Sequence, residues 1–181
     1  MRILGVAALG TDPPPELAAK ARAFVEELSS VCGGSLCLAL GGYWGLMRVV
    51  VDEALRQGMC VLLFPPVERE DFDYPGGALV VRTGASYRVR SIFLCRSSDV
   101  LVCLGGEAGT MQEVFTAYLE GVPVLMLAGT GQASDALERL APCLDSRCTS
   151  EVTVVRDPRE LARKACELLS ERPSRRARGL G

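Results

Sequence analysis

The 181-residue chain is predicted to fold as a three-layer α/β structure, a Rossmann-like open parallel sheet of six to seven strands with helices on both faces. Short apolar runs alternate along the chain with stretches of helical period, the pattern of a parallel sheet. Hydrophobic residues make up 49% of the chain, which suits a single domain over residues 1–171. Glycine-rich turns follow two of the apolar runs, and they draw attention to one edge of the sheet.

The apolar runs predict strands, and the periodic stretches between them predict helices. We expect strands near 2–8, 36–40, 59–64, 99–104, 122–127 and 152–155, with a further short strand near 78–82. Helices are expected near 15–31, 45–57, 86–97, 110–120, 133–141 and 158–171. The tail 172–181 has four arginines and no apolar period, so we expect a disordered basic segment.

Charge and hydropathy restrict the partners. The net charge is −2, and because the tail contributes +4, residues 1–171 sum to −6. An acidic body argues against nucleic acid as a partner. The apolar start MRILGVAALG is too short for a membrane span and runs into TDPPPE, which favours a strand and a turn. We therefore expect a cytoplasmic protein with neither membrane nor nucleic-acid partners.

The eight cysteines lie mostly in apolar stretches, and the chain has no histidine and no Cys-x-x-Cys, so we expect no metal site. Two pairs share the same spacing, Cys32 with Cys37 and Cys143 with Cys148. A disulfide in either pair would be unusual in a mesophilic cytosol but compatible with a hyperthermophile. Reduced thiols are the favoured prediction.

In a parallel α/β sheet, ligands bind outside the carboxyl ends of the strands. The loops there are ALGTDPPP, GGYWGLM, PPVEREDFDYPGG and GGEAGT. The third is long and acidic, and it is either a lid or a plain surface excursion. The second and fourth have the glycines and helix starts that admit a phosphate, although tight packing turns explain each one alone equally well. The second lacks Lys-Ser/Thr, so it is not a Walker loop.

The candidate phosphate-binding or nucleotide-binding residues come from these two turns: Gly41, Gly42, Gly45, Leu46 and Met47 in the first, and Gly105, Gly106, Gly109 and Thr110 in the second. Thr110 and Glu113 also fit a capping box, in which Thr caps the helix and Glu reaches back to its N–H. Arg88 and Arg90 fall at a helix N-terminus, where the macrodipole disfavours cations. A solvated position explains Arg88, whereas a bound phosphate gives a better reason for Arg90.

These residues resemble the signature of the LOG family. Arg90, Asp99, the strand VLVCL and GGEAGTMQE follow the family's order of an Arg and then Pro-Gly-Gly-x-Gly-Thr-x-x-Glu, and GGYWGLM is similar to its Gly-Gly-x-x-Gly-Leu-Met turn. The resemblance covers about residues 2–170. It implies a cytokinin-type nucleoside 5′-monophosphate phosphoribohydrolase or a related nucleotide N-glycosidase, with Arg90 and Glu113 as the catalytic pair and no metal. It also implies a homodimer or higher homo-oligomer, with which the helix VVVDEAL at 49–55 is compatible.

Three positions depart from that signature: Gly105 replaces the Pro, Glu107 the second Gly, and Ser91 the Lys after the Arg. With LAGTGQASD, they resemble the branch that contains molybdenum-cofactor carrier proteins. The favoured function is therefore binding of a phosphorylated small molecule, an AMP-like nucleotide or the molybdenum cofactor, without a required cofactor. Phosphoribohydrolase activity that releases base and ribose 5-phosphate is the alternative. A pyridoxal-phosphate lysine decarboxylase is rejected because Lys20 and Lys164 lie on predicted outer helices.

Overall fold

The computed structural model describes residues 1–171, and all seven strands form one parallel sheet. The strands are β1 (Arg2–Ala7), β2 (Leu36–Leu40), β3 (Cys60–Leu63), β4 (Ala78–Val80), β5 (Val100–Cys103), β6 (Val124–Leu127) and β7 (Val152–Val155). Their order across the sheet is β4-β3-β2-β1-β5-β6-β7. The predicted fold class is confirmed, with the higher of the two strand numbers.

Helices cover both faces of the sheet. They are α1 (Pro15–Cys32), α2 (Gly45–Arg56), α3 (Tyr87–Ser97), α4 (Ala108–Leu119) and α5 (Pro158–Glu171). The helix predicted over 133–141 is present as a 3₁₀ helix, Ala133–Leu140. Shorter 3₁₀ turns lie at Gly33–Ser35 and Val67–Arg69. The predicted disordered tail falls outside the described residues.

The core has two layers, one on each side of the sheet. Leu4 and Val6 of β1 pack with α1, α2 and α5, whereas Ala7 faces the layer that contains α3 and α4. Because both faces are covered, the inner strands are continuous apolar runs rather than alternating ones. All five residues of β2, for example, are buried. This burial explains why hydrophobic runs alone located the strands.

Helix α2 packs inward. The prediction linked VVVDEAL to an oligomer surface, but Val50, Val51 and Ala54 are 0% exposed in the single chain. They pack against the sheet and α1, so α2 contributes its apolar side to the core. None of the helices in residues 1–171 has the length and apolar character that a bilayer span requires.

The prediction of reduced cysteines is wrong for six of the eight. Disulfides join Cys32 to Cys166, Cys37 to Cys60, and Cys143 to Cys148. Of the two spacings noted in the sequence, only the second forms a pair. Cys37 lies in register with Cys60 on the neighbouring strand, and Cys32 ends α1 where it faces α5. Contacts between elements distant in sequence therefore decide two of the three pairings, while Cys95 and Cys103 stay free and buried.

Candidate ligand-binding cleft

A cleft of about 920 Å³ opens at the carboxyl ends of the central strands. It lies beside β1, where the strand order changes direction between β2 and β5. The loop after β1 contributes Gly10, Thr11 and Asp12 to the wall, the loop after β3 contributes Arg69, and the N-terminal parts of α2, α3 and α4 contribute most of the remaining residues. In an open α/β sheet this change of direction is where ligands bind.

The first glycine turn, after β2, places some predicted residues at the cleft and others beneath it. Gly45 and Met47 line the cleft, whereas Leu46 is fully buried in the core and donates its N–H to the carbonyl of Leu9 at 2.9 Å. Gly45 has φ +55°, and a Cβ there would lie 2.7 Å from the Leu9 oxygen. The turn therefore requires glycine at this position.

Gly41 and Gly42 do not line the cleft; they make room for side chains that do. A side chain on Gly41 would overlap the guanidinium of Arg90, and one on Gly42 would overlap the ring of Trp44. Both cleft side chains thus lie directly on the backbone of this turn. Any role of Gly41, Gly42 and Leu46 in phosphate binding stays a prediction.

The second glycine turn, after β5, is held by a neighbouring loop. The N–H of Gly106 donates to Ser134 Oγ at 3.1 Å, and the carbonyl of Gly106 accepts a hydrogen bond from the Ser134 N–H at 2.9 Å. Gly105 has φ +103°, and a Cβ there would meet the side chain of Thr130 at 2.8 Å. These bonds shape the turn, and they leave Gly109 and Thr110 as the predicted residues that reach the cleft wall.

The predicted capping box is wrong. Helix α4 begins at Ala108 with Glu107 as its N-cap, so Thr110 lies inside the first turn rather than before it. Within the described chain, neither Glu107 nor Trp44, the N-cap of α2, makes a side-chain capping bond. The first turns of both helices therefore lack a side-chain cap, although the Leu46 N–H of α2 is already bonded to Leu9, and a helix start without a side-chain cap favours an anion.

Glu113 instead pairs with Arg90 across the cleft. Arg90 Nη1 donates to Glu113 Oε1 at 2.7 Å, and Ser91 Oγ donates to the same oxygen at 2.9 Å. Arg90 is 6% exposed and Glu113 is 5% exposed, yet both line the cleft. Arg90 Nε is a buried nitrogen for which residues 1–171 provide no hydrogen-bond partner. The Nε–H of the Arg90 guanidinium is thus left for a hydrogen-bond acceptor that the protein does not supply.

Burial dominates the electrostatics of Glu113. Loss of solvent raises the pKa of its carboxyl, while the charge of Arg90 and the hydrogen bond from Ser91 act in the opposite direction. The backbone carbonyl of Glu113 also accepts a hydrogen bond from the Cys95 thiol, with 3.4 Å between Sγ and the oxygen. The pair therefore has a carboxyl that holds its proton more readily than an exposed one, a property common at functional sites.

Sequence reasoning missed the aromatic side of the cleft. Trp44, Tyr87 and Arg69 line the wall, and the Arg69 guanidinium lies 4.5 Å from the centroid of the Trp44 ring. Arg69 comes from the long loop after β3, for which a lid was one of two interpretations. The sequence did contain an indication of this aromatic wall, because Trp44 is the single tryptophan and stands inside a glycine turn. Arg88 also lines the cleft as an exposed side chain.

The two lysines lie away from this wall. Lys20 on α1 pairs with Glu16 at 2.9 Å and donates to the carbonyl of Gly129, and Lys164 on α5 pairs with Glu160 at 3.7 Å. Neither contributes to the cleft lining. The cleft thus offers no amine for a Schiff base with pyridoxal phosphate.

A switch-point cleft with two glycine turns and a buried Arg–Glu pair is the arrangement expected of the LOG superfamily, of Rossmann-like α/β type. The chain belongs to the SLOG cluster4 family, whose sequence profile matches residues 3–161. The resemblance drawn from GGYWGLM and GGEAGTMQE is therefore confirmed. No curated protein matches the chain at a significant level.

Solved structures agree with this placement. The structural-genomics target TM1055 is 26% identical with a TM-score of 0.79, and the match covers 92% of this chain and 99% of that one. The Moco carrier protein from Chlamydomonas reinhardtii is 24% identical with a TM-score of 0.77, covering 94% and 99%. The molybdenum cofactor binding protein from Rippkaea orientalis is 19% identical with a TM-score of 0.74, covering 92% and 95%. The two proteins that bind or carry the molybdenum cofactor share the fold of this chain.

Proposed function

We propose that the protein binds a phosphorylated small molecule in the cleft. The observation that carries this proposal is Arg90, a nearly buried cation that keeps one guanidinium N–H without a partner in residues 1–171. A buried donor without a partner costs roughly 1–3 kcal/mol, and a phosphate oxygen would remove that cost. Arginine suits the task because its planar fork matches phosphate oxygens.

Two helix starts support the same ligand chemistry. The first turns of α2 and α4 both reach the cleft wall, at Gly45 and at Gly109. Their N–H groups and dipoles attract negative charge, and Arg90 lines the same cleft. A phosphate at this point would meet donors from three elements of the protein.

The likeness to Moco carrier proteins makes the molybdenum cofactor one candidate ligand, and the LOG signature makes an AMP-like nucleotide the other. Both combine a phosphate with a heteroaromatic ring. A small molecule is proposed rather than a nucleic acid, because residues 1–171 sum to −6. The proposed binding itself requires no further cofactor.

Calorimetric titration with AMP and with ribose 5-phosphate tests the binding proposal. Arg90→Met should lower the affinity for both ligands at least about tenfold, as expected for the loss of a charge-assisted hydrogen bond. Arg96→Met is the matched control, since Arg96 lies at the other end of α3 and pairs with Glu120 on the surface. Equal affinities in wild type and Arg90→Met would refute the proposal.

Hydrolysis of a nucleoside 5′-monophosphate is the second candidate function, favoured by the position of Glu113. Its carboxyl lines the same cleft, nearly buried, and its pKa is raised by burial. A carboxylate beside the ribose would stabilise positive charge in the transition state or position the attacking water. Incubation with AMP tests this function. Release of adenine and ribose 5-phosphate supports it, and intact AMP under binding conditions rules it out for this substrate.

A homodimer or higher homo-oligomer is proposed through α3 and α4. Val89, Ile92 and Phe93 form an exposed apolar stripe on α3, with exposed fractions of 45%, 39% and 44%, and α4 adds Phe115 and Leu119. The two helices pack on each other, so the stripes form one apolar surface. Sedimentation of wild type and Phe93→Asp tests it. A wild-type dimer that the substitution dissociates supports this surface, and a monomeric wild type contradicts it.

A further inference from the structure

The cleft contains an aromatic cluster that phosphate binding does not explain. Trp44 precedes α2, and the ring of Tyr87 at the start of α3 lies 6.3 Å from it at an angle of 64°. Arg69 covers the Trp44 ring at 4.5 Å and also lies 5.2 Å from the ring of Phe72. Three of these side chains, from Trp44, Arg69 and Tyr87, line the cleft.

The backbone is shaped around the Trp44 ring. A side chain on Gly42 would overlap the six-membered ring, and a Cβ on Gly10 would lie 3.6 Å from the indole nitrogen. Only the glycine at position 42 is required, since the Gly10 distance is an ordinary van der Waals contact, and Tyr87 meets the indole in an edge-to-face arrangement. A half-buried aromatic ring held in one position is a preorganised stacking surface.

We infer that Trp44 stacks on a heteroaromatic ring of the ligand, so that the cleft selects a phosphorylated purine or pterin over a phosphosugar. The inference rests on the proposed phosphate site at Arg90 and assigns the other part of the same cleft. Both Trp44 and Arg90 lie directly on the turn after β2, at Gly42 and Gly41. One ligand can therefore contact both, and a cleft of about 920 Å³ has the size of a small-molecule pocket.

Arg69 occupies the position that the ring would take. Its guanidinium lies 4.5 Å from the Trp44 centroid. An inserted ring needs about 3.5 Å on each of its sides, so the two cannot hold it without moving apart. The ligand ring therefore displaces Arg69 from the face of Trp44. A guanidinium over an aromatic ring shows that this face already attracts planar groups.

The single tryptophan supplies the readout. AMP should change the fluorescence of Trp44, whereas ribose 5-phosphate, which lacks the ring, should leave it nearly unchanged. Trp44→Leu should weaken AMP binding about tenfold or more, as base stacking on an aromatic side chain requires, and leave ribose 5-phosphate within about twofold. Trp44→Phe, which keeps a stacking face, should restore most of the AMP affinity.

Tyr43→Leu is the matched control. Tyr43 is the neighbouring half-buried aromatic residue, and Arg48 lies 5.6 Å from its ring, but this pair lies outside the cleft lining. Its removal should change neither affinity. Neopterin monophosphate, titrated in parallel, assigns the ring: tighter binding of AMP identifies a purine site, and tighter binding of the pterin identifies a pterin site.

The outcomes separate this inference from the proposed function. If ribose 5-phosphate binds as tightly as both ring compounds, or if Trp44→Leu weakens all ligands equally, the stacking role is overturned while Arg90-dependent binding survives. If none of the three compounds binds the wild-type protein, the proposed phosphate site fails for these ligands, and the stacking role falls with it.

Discussion

Arg90 and Glu113 form a buried ion pair that joins α3 to α4 across the cleft, with 2.7 Å between Nη1 and Oε1. Ser91 adds a neutral donor to the same carboxylate at 2.9 Å, at the position where the resemblance implies a lysine. Glu113 thus has one cation beside it rather than two. Burial then outweighs the attraction of Arg90, and the pKa of the carboxyl rises.

Glu113→Gln is expected to be at least as stable as wild type at pH 7, because the raised pKa of Glu113 means that the folded protein favours the neutral form of this carboxyl, which Gln mimics. The folded pKa of Glu113 lies above its unfolded value near 4.5. Wild type should therefore gain stability as the pH falls through the folded pKa toward 4.5, and the advantage of the variant should shrink over that window. Urea unfolding at several pH values measures both.

The same variant distinguishes the two candidate functions. A Glu113→Gln protein that folds normally but no longer releases adenine from AMP identifies the carboxylate as the catalytic group. A loss of more than about 2 kcal/mol at pH 7 would contradict the electrostatic account, since the ion pair would then outweigh desolvation.

Glu107→Gly is expected to strengthen the binding of AMP about threefold to tenfold. Glu107 lines the cleft as the N-cap of α4, where the resemblance implies a glycine, and its charge repels a phosphate at the same helix start. Two charges about 4 Å apart in water interact by about 1 kcal/mol, which corresponds to this range. Calorimetric titration measures it, with Glu68→Gly on the loop after β3 as a control. An unchanged or weaker affinity would mean that Glu107 contacts the ligand favourably.

The thiol count separates oxidised from reduced cysteines. Native protein should react with no thiol reagent, because Cys95 and Cys103 are buried and burial raises the pKa of Cys103 to about 11 and that of Cys95 further. Unfolding without reductant should expose two thiols, and unfolding after reduction should expose all eight. Eight reactive thiols without reductant would show that the three disulfides do not form in solution.

The disulfides should differ in their contribution to stability. Cys32 and Cys166 are 134 residues apart, whereas Cys143 and Cys148 are five apart. By loop entropy, Cys166→Ser should lower the free energy of unfolding by about 5 kcal/mol and Cys148→Ser by about 2 kcal/mol. Chemical denaturation of the two oxidised variants tests the order, and an equal loss in both would contradict it.

The sequence predicted the strands well because burial on both faces produces uninterrupted apolar runs. The family spacing singled out Arg90 and Glu113, which the structure brings into contact in the cleft, but the sequence also offered Glu113 a capping partner in its own helix. Local sequence contains no information on the hydrogen bond that Arg90 of α3 donates to Glu113, since these residues meet only when the two helices pack. The disulfide between Cys37 and Cys60 was not predicted for the same reason, because only the register of the folded sheet brings these two residues together.

The aromatic side of the cleft was invisible for a related reason. Trp44 stands within the first glycine turn, yet its partners Arg69 and Tyr87 come from two other segments. The sequence predicts a phosphate contact at Gly42, and the structure adds that the missing side chain makes room for Trp44. Glycines in such turns therefore indicate that another group lies close to the backbone, but they do not identify that group.

A crystal structure of the protein with AMP would show where the phosphate binds. We expect the phosphate within about 3 Å of Arg90 Nε and beside the first turns of α2 and α4. A phosphate bound elsewhere, with Arg90 Nε still lacking a partner, would contradict this expectation.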